Sequence, residues 1–186
     1  MRIEPGQLPG LRIIRPARHG DSRGWFMETW RQQSYVELGP EAAFVQDNLA
    51  KSQQGVLRGL HIQHPYGQGK LVQVFTGKVF DVAVDARRGS PTFGRHQTVI
   101  LDAEDPVQFY IPPGFAHGYY VMSEEAIFGY KCTDYYHPET QFAVRWDDPA
   151  LGIAWPLAGA PALSPKDRVA PVLAEIPLDR LPEFTE

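Results

Sequence analysis

Apolar residues at every second position, repeatedly stopped by glycine or proline, are the feature that most narrows what this chain can become. Phe80, Val82 and Val84 alternate with Asp81, Ala83 and Asp85; Val72 and Val74 continue the phase of Lys70; Ala126, Phe128, Tyr130 and Cys132 share one face. That period of two is the signature of strands. Further strands are expected at residues 12–14, 25–29, 56–62, 96–101, 107–111 and 116–121. Thr76-Gly77-Lys78 separates two runs and reads as a hairpin turn. Helical periodicity is weak, with residues 31–38 and part of the C-terminal tail as candidates for short helices. The 17 glycines and 17 prolines are spread along the chain, so they read as turns rather than as a linker. The pattern predicts an all-β fold, either closed or built from two sheets. A jelly-roll barrel able to hold a ligand inside is the choice among these.

Length and charge set the remaining bounds. The chain has 186 residues, which suits one domain with a sizeable core. Its formal charge of −4 is made of interspersed acids and bases, with no basic tract of the kind that tracks nucleic acid. The first residues are broken by prolines and charges, so no signal peptide is expected. No stretch approaches the roughly 20 apolar residues of a membrane span. The one cysteine, Cys132, has no partner for an internal disulfide, which fits a reducing, cytoplasmic home.

Two segments carry polar residues that strand chemistry alone does not require. In Gly55-Val56-Leu57-Arg58-Gly59-Leu60-His61-Ile62-Gln63, Arg58 and His61 interrupt an otherwise apolar strand. They are either exposed residues of an edge strand or the lining of a cavity. Histidine suits a base near neutral pH, and the arginine fork suits a diphosphate. Strict alternation sets the two on opposite faces, so a common ligand requires an irregularity, for which Gly59 is the natural place. In Pro112-Pro113-Gly114-Phe115-Ala116-His117-Gly118, a turn precedes a strand that begins with histidine, as in many cupins. Metal-binding cupins usually offer an H-x-H pair with a glutamate and a later histidine. Here Gln63 replaces the second histidine and Lys70 stands near the acidic position, so no metal is expected. Taken singly, Lys70 reads as a solvated strand end, Tyr130 as a core tyrosine and Asp167 as a turn aspartate.

Taken together, these segments resemble the dTDP-4-dehydrorhamnose 3,5-epimerase family. Its marks run in order from about Arg12 to Asp167: Asp21-Ser22-Arg23-Gly24-Trp25-Phe26-Met27-Glu28, Gln46-Asp47-Asn48, the block at 56–63, Gly69-Lys70-Leu71-Val72, the block at 112–118, Tyr130-Lys131-Cys132-Thr133-Asp134-Tyr135-Tyr136, Trp146-Asp147-Asp148-Pro149, Trp155-Pro156 and Leu163-Ser164-Pro165-Lys166-Asp167. The resemblance implies a cupin-type double-stranded β-helix (jelly roll) with short peripheral helices, a homodimer, and no metal or other cofactor. It implies one domain over residues 1–186, with a segment of about 1–50 contributing to the dimer and a tail of about 165–186 packing outside the barrel.

The resemblance also implies roles. The base falls on His61 and its carboxylate partner on Asp167, the acid on Tyr130, and the lysine beside the ketone on Lys70. Arg58 matches a diphosphate contact and His117 a further pocket residue. Gln46, Asn48, Arg23 and Glu28 match nucleotide contacts, with Arg23 and Glu28 serving the neighbouring subunit through an exchanged N-terminal segment. Phe26 and Gln63 lie in matched motifs and join the binding set. Tyr135 is the expected wall against the thymine ring, and Lys166 a weaker candidate for a phosphate contact. Two departures stand out: residues 64–68 form a loop one residue shorter than in common members, and Gln141 stands where an acid is frequent, which leaves position 141 outside the expected site. The implied substrate is dTDP-4-dehydro-6-deoxy-D-glucose, whose ketone acidifies carbons 3 and 5. An epimerase of only one of these carbons is the nearest alternative. A keto-shifting relative, a metal-dependent cupin oxygenase and an inactive sugar-binding cupin are further ones.

Overall fold

Among the described residues the strand pattern resolves into thirteen strands and very little helix. The computed structural model describes residues 1–39 and 42–185. The strands are β1 (Arg2–Pro5), β2 (Arg12–Arg15), β3 (Arg18–Asp21), β4 (Gly24–Met27), β5 (Gln46–Gln53), β6 (Leu57–Gln63), β7 (Lys70–Thr76), β8 (Lys78–Asp85), β9 (His96–Asp102), β10 (Gln108–Ile111), β11 (Phe115–Val121), β12 (Glu125–Cys132) and β13 (Gln141–Ala143). A six-stranded sheet runs β1-β2-β10-β7-β12-β5 and a five-stranded sheet runs β13-β6-β11-β8-β9, both antiparallel. They face one another as a jelly roll, while β3 and β4 form a separate two-stranded hairpin.

Side chains from both inner faces build the core. Val72, Val74, Phe109, Ile111 and Phe128 of the larger sheet meet Val79, Ala83, Leu101, Phe115 and Val121 of the smaller one. Each outer face carries its own cover. Leu173, Ile176 and Leu181 of the C-terminal tail close over Leu60, Ile62, Val82 and Val84. Tyr35, Leu38 and Ala42 close over Ile14, Leu71 and Tyr110. The alternation at 80–85 therefore points Phe80, Val82 and Val84 outward under the tail, and it is the Asp81–Ala83 side that enters the sandwich. Both faces of β8 are buried, as for a central strand between two layers.

Some expectations need correction. Thr76-Gly77-Lys78 is not a hairpin: β7 belongs to the larger sheet and β8 to the smaller, and the chain crosses between sheets at Gly77. Gly77 has φ +80, and a Cβ there would stand 2.1 Å from the Glu125 carbonyl oxygen. A positive-φ glycine serves a reversal and a corner alike, and the flanking sequence is the same for both. The segment 31–38 forms two 3₁₀ turns, Gln32–Ser34 and Val36–Leu38, rather than a continuous helix. The tail contributes one short helix, α1 (Pro165–Arg168), and two more 3₁₀ turns. Among the described residues no helix is long and apolar enough to cross a membrane.

Candidate active site

The irregularity at Gly59 is present. In the β6–β11 ladder, His117 lies opposite His61 but Tyr119 lies opposite Arg58, so β6 carries one extra residue over that interval. Gly59 has φ +132, and a Cβ on it would approach the Gly118 Cα to 2.5 Å. The bulge puts Arg58 and His61, set apart by simple alternation, on the wall of one cavity of about 210 Å³ between the two sheets.

His61 Nε2 lies 2.6 Å from Asp167 Oδ1. Asp167 is 2% exposed and sits in the first turn of α1, which Ser164 caps by accepting from the Asp167 amide at 3.1 Å, with Pro165 opening the helix. Burial alone would raise its pKa. The His61 hydrogen bond and charge, the Ser164 hydroxyl and the Gly59 amide outweigh burial and hold the carboxyl below the ordinary range. The carboxylate thus stays ionised behind the imidazole and fixes its orientation, as in the His–Asp arm of a hydrolase triad.

The opposite wall comes from the larger sheet. Lys70 at the start of β7 and Tyr130 on β12 both line the cavity, and Tyr130 pairs with Val72 in the ladder. Burial pushes the Lys70 ammonium below its usual pKa, against the pull of Cys132 and Asp81. Burial also pushes the Tyr130 phenol up, helped by Cys132 and Tyr119, so the phenol keeps its proton at neutral pH. An imidazole backed by a carboxylate therefore stands on one sheet and a protonated phenol on the other, with the Lys70 amine lining the same cavity.

Several lining residues carry no sequence signal of their role. Tyr119, stacked on Phe128 at 4.1 Å between centroids, lines the cavity beside Arg58, whose Nε donates to Ser52 Oγ at 3.2 Å. Gln68, Tyr136 and Gln141 line its mouth, with the Tyr136 hydroxyl donating to Gln141 Oε1 at 2.8 Å. Position 141 thus belongs to the site, contrary to the expectation that it lies outside. Asp81 stands behind the cavity, bonded to His117 Nε2 at 2.9 and 3.1 Å. The sequence signal for Asp81 is its place on a strand alternating with valines, which marks it as exposed just as readily.

The remaining expected residues lie elsewhere. Gln63 is buried and its amide is committed to the neighbouring loops: it donates to the carbonyls of Tyr66 and Tyr135 and accepts from the His137 amide. It does not line the cavity, and its side chain ties these loops together. Tyr135 is 61% exposed and away from the cavity, and its neighbour Tyr136 takes the lining position. Gln46 and Asn48 sit on edge strand β5, hydrogen-bonded to one another at 3.0 Å. Lys166 is exposed on α1 in a groove outside the barrel. Arg23, Phe26 and Glu28 are all exposed and do not line this chain's cavity; Arg23 pairs with Asp21 at 2.5 Å and Glu28 with Arg31 at 3.1 Å.

Two larger hollows, about 400 and 330 Å³, lie outside the barrel. One borrows Tyr130 and the other His61 with Asp167, but among the described residues the interior cavity alone gathers His61, Lys70 and Tyr130. Among those residues no three His, Cys, Asp or Glu side chains come together as a metal site.

Residues 5–175 match the family described as dTDP-4-dehydrorhamnose 3,5-epimerase. A dTDP-4-dehydrorhamnose 3,5-epimerase from Neisseria gonorrhoeae is 52% identical over 167 residues, 90% of this chain; the chain spans about half, 51%, of that relative's length. The relative of that name from Salmonella typhimurium is 50% identical and is 92% covered. A crystal structure of the dTDP-6-deoxy-D-glucose-3,5-epimerase from Legionella pneumophila, in complex with dTDP-4-keto-L-rhamnose, is 53% identical. It superposes with a TM-score of 0.97 over 100% of this chain and 99% of that one.

Proposed function

This chain belongs to the dTDP-4-dehydrorhamnose 3,5-epimerase family of carbohydrate isomerases, with the cupin-type jelly roll of its solved relatives, and from that premise we propose a reaction for the cavity. The substrate is dTDP-4-dehydro-6-deoxy-D-glucose and the product dTDP-4-dehydro-L-rhamnose, formed by inverting both carbons beside the ketone. The observation that carries this reading is the placement of His61, backed by Asp167, and Tyr130 on opposing walls of one cavity that also holds Lys70.

Inversion at a carbon needs a proton removed from one face and another delivered to the opposite face. His61 takes the proton, oriented by Asp167. Lys70 steadies the negative charge that develops on the ketone oxygen. Tyr130 returns a proton from the other sheet; its raised pKa suits a donor that must stay protonated until a basic enolate carbon arrives. A placed acid or base is worth about 10² to 10⁴ in rate, and a preorganised charge at the oxyanion roughly another 10² to 10³. These terms act on a ketone the substrate already carries, so the steps run through this chain's side chains.

Arg58 takes the diphosphate at the mouth. The β3–β4 hairpin, with Trp25 and Phe26 exposed on β4, carries Arg23, Phe26 and Glu28 to the site of a second copy in a homodimer. The reaction takes place in the cytoplasm, where the buried thiol of Cys132 stays reduced.

The test is incubation of the purified protein with the 4-keto sugar nucleotide in deuterated water, followed by NMR. Label at carbons 3 and 5 with inversion is the expected result. Label at one carbon alone makes this a single-site epimerase, and no label with folded protein removes the reading.

A further inference from the structure

Among the described residues four aspartates are buried: Asp81, Asp85, Asp148 and Asp167. A buried carboxylate is costly unless its partners replace water. Three of the four have evident work. Asp85 gathers Arg87, Ser90 and Thr92 in a turn, Asp148 accepts from the amides of Ala150 and Leu173, and Asp167 backs His61. Asp81 is fully buried on β8, holds no turn and caps no helix. Both its oxygens go to a single atom, His117 Nε2, at 2.9 and 3.1 Å.

His117 is itself 7% exposed, lines the cavity and stacks on Phe128 at 6.1 Å with 23° between planes, so its ring has little freedom. It stands opposite His61 in the ladder, beside the proposed base. With Nε2 turned to Asp81, Nδ1 is the ring nitrogen left for a ligand. Burial pushes the Asp81 carboxyl up while the charges of His117 and Lys70 pull it down, and Lys70 lines the same cavity as His117.

We propose that Asp81 is a positioning residue for the reaction: it fixes His117 as the Nε2–H tautomer, leaving Nδ1 to accept from a sugar hydroxyl, and it supplies the counter-charge that keeps the Lys70 ammonium in the cavity. Asp81 touches no substrate itself and acts through these two neighbours. The inference rests on the epimerase reading of the cavity. The charged and titratable groups that line the cavity with Lys70 are His61 and Arg58 from β6, His117 and Tyr119 from β11, Tyr130 from β12, and Tyr136, while Asp81 from β8 and Cys132 from β12 act on its charge from outside that lining. Asp81 is the carboxylate of this set, so its removal leaves Lys70 beside cations and neutral groups.

Asp81→Asn keeps the shape and removes the charge. The expected result is folded protein whose kcat falls about 10²-fold while KM changes less than about threefold, the size of loss seen when one oxyanion donor fails. The alkaline limb of its kcat–pH profile moves to lower pH, because Lys70 gives up its proton more easily. A purely structural role would lower the folded fraction without moving that limb. Should Asp81→Asn not fold, ¹⁵N-histidine NMR of the wild type still decides, since a proton on Nδ1 rather than Nε2 of neutral His117 overturns the proposal. So does a folded Asp81→Asn variant with wild-type kcat and pH profile. A wild type that puts no deuterium into the sugar sinks the epimerase reading instead, which separates the two failures.

Discussion

His61 and His117 face one another across β6 and β11, each with an aspartate behind Nε2. At this scale the proposed reaction separates into removal and return of a proton. His61→Ala is expected to lower kcat by about 10² to 10⁴ while binding of the dTDP-sugar, followed by calorimetry, is largely kept. Tyr130→Phe is expected to behave differently: deuterium still enters from solvent at the acidified carbon, but inversion fails, and NMR of the recovered sugar shows both. The Asp167 carboxyl adds a stability signature. Its pKa when folded lies below the ordinary 3.8, so its contribution is fully present above pH 3.8 and is lost as pH falls through the depressed value. Asp167→Asn should therefore flatten the melting-temperature profile on the acid side of pH 3.8. Residues with unusual chemistry for their place, such as Arg58 and His61 within an apolar strand, are legible as candidates in the sequence itself. Asp81 is not, because a strand aspartate alternating with valines looks the same facing water or facing a buried histidine.

Among the elements, β6 does most to assemble the site, and its bulge is the device. Gly59→Ala would force a left-handed φ on a residue with a Cβ and drive that atom into the Gly118 backbone. A loss of about 3 kcal/mol is expected, read as a lower urea midpoint, with Arg58 and His61 no longer sharing a wall. The bulge follows from sequence because two polar residues with a common ligand cannot share a face without it. Strands with an apolar period are equally legible. β5, reading QDNLAKSQ, is not, because an edge strand exposed at alternate positions needs no apolar stripe and takes its order from backbone pairing with β12. The corner at Gly77 passes for a hairpin in the sequence because which sheet receives the next strand depends on the far side of the barrel, where Glu125 and Ser123 crowd the glycine.

The molecule as a whole divides its labour between a barrel and its appendages. The barrel gives the cavity, the hairpin at Arg18–Asp21 and Gly24–Met27 gives an outreaching arm, and the tail gives a cover. On the proposed homodimer, deleting residues 18–27 is expected to leave the two sheets folded but shift sedimentation from dimer to monomer and raise KM for the proposed nucleotide sugar severalfold. The tail does more than cover. Asp167 lies 106 residues beyond His61, well past β13, the last strand of either sheet. A ribosome that has released every barrel strand has therefore made a histidine whose carboxylate partner is still unwritten. A chain cut short by a premature stop codon after residue 143 has every strand in its sequence but loses the dyad together with the tail that covers the smaller sheet. The completeness of the polypeptide is thus itself a condition for the proposed base to have its partner.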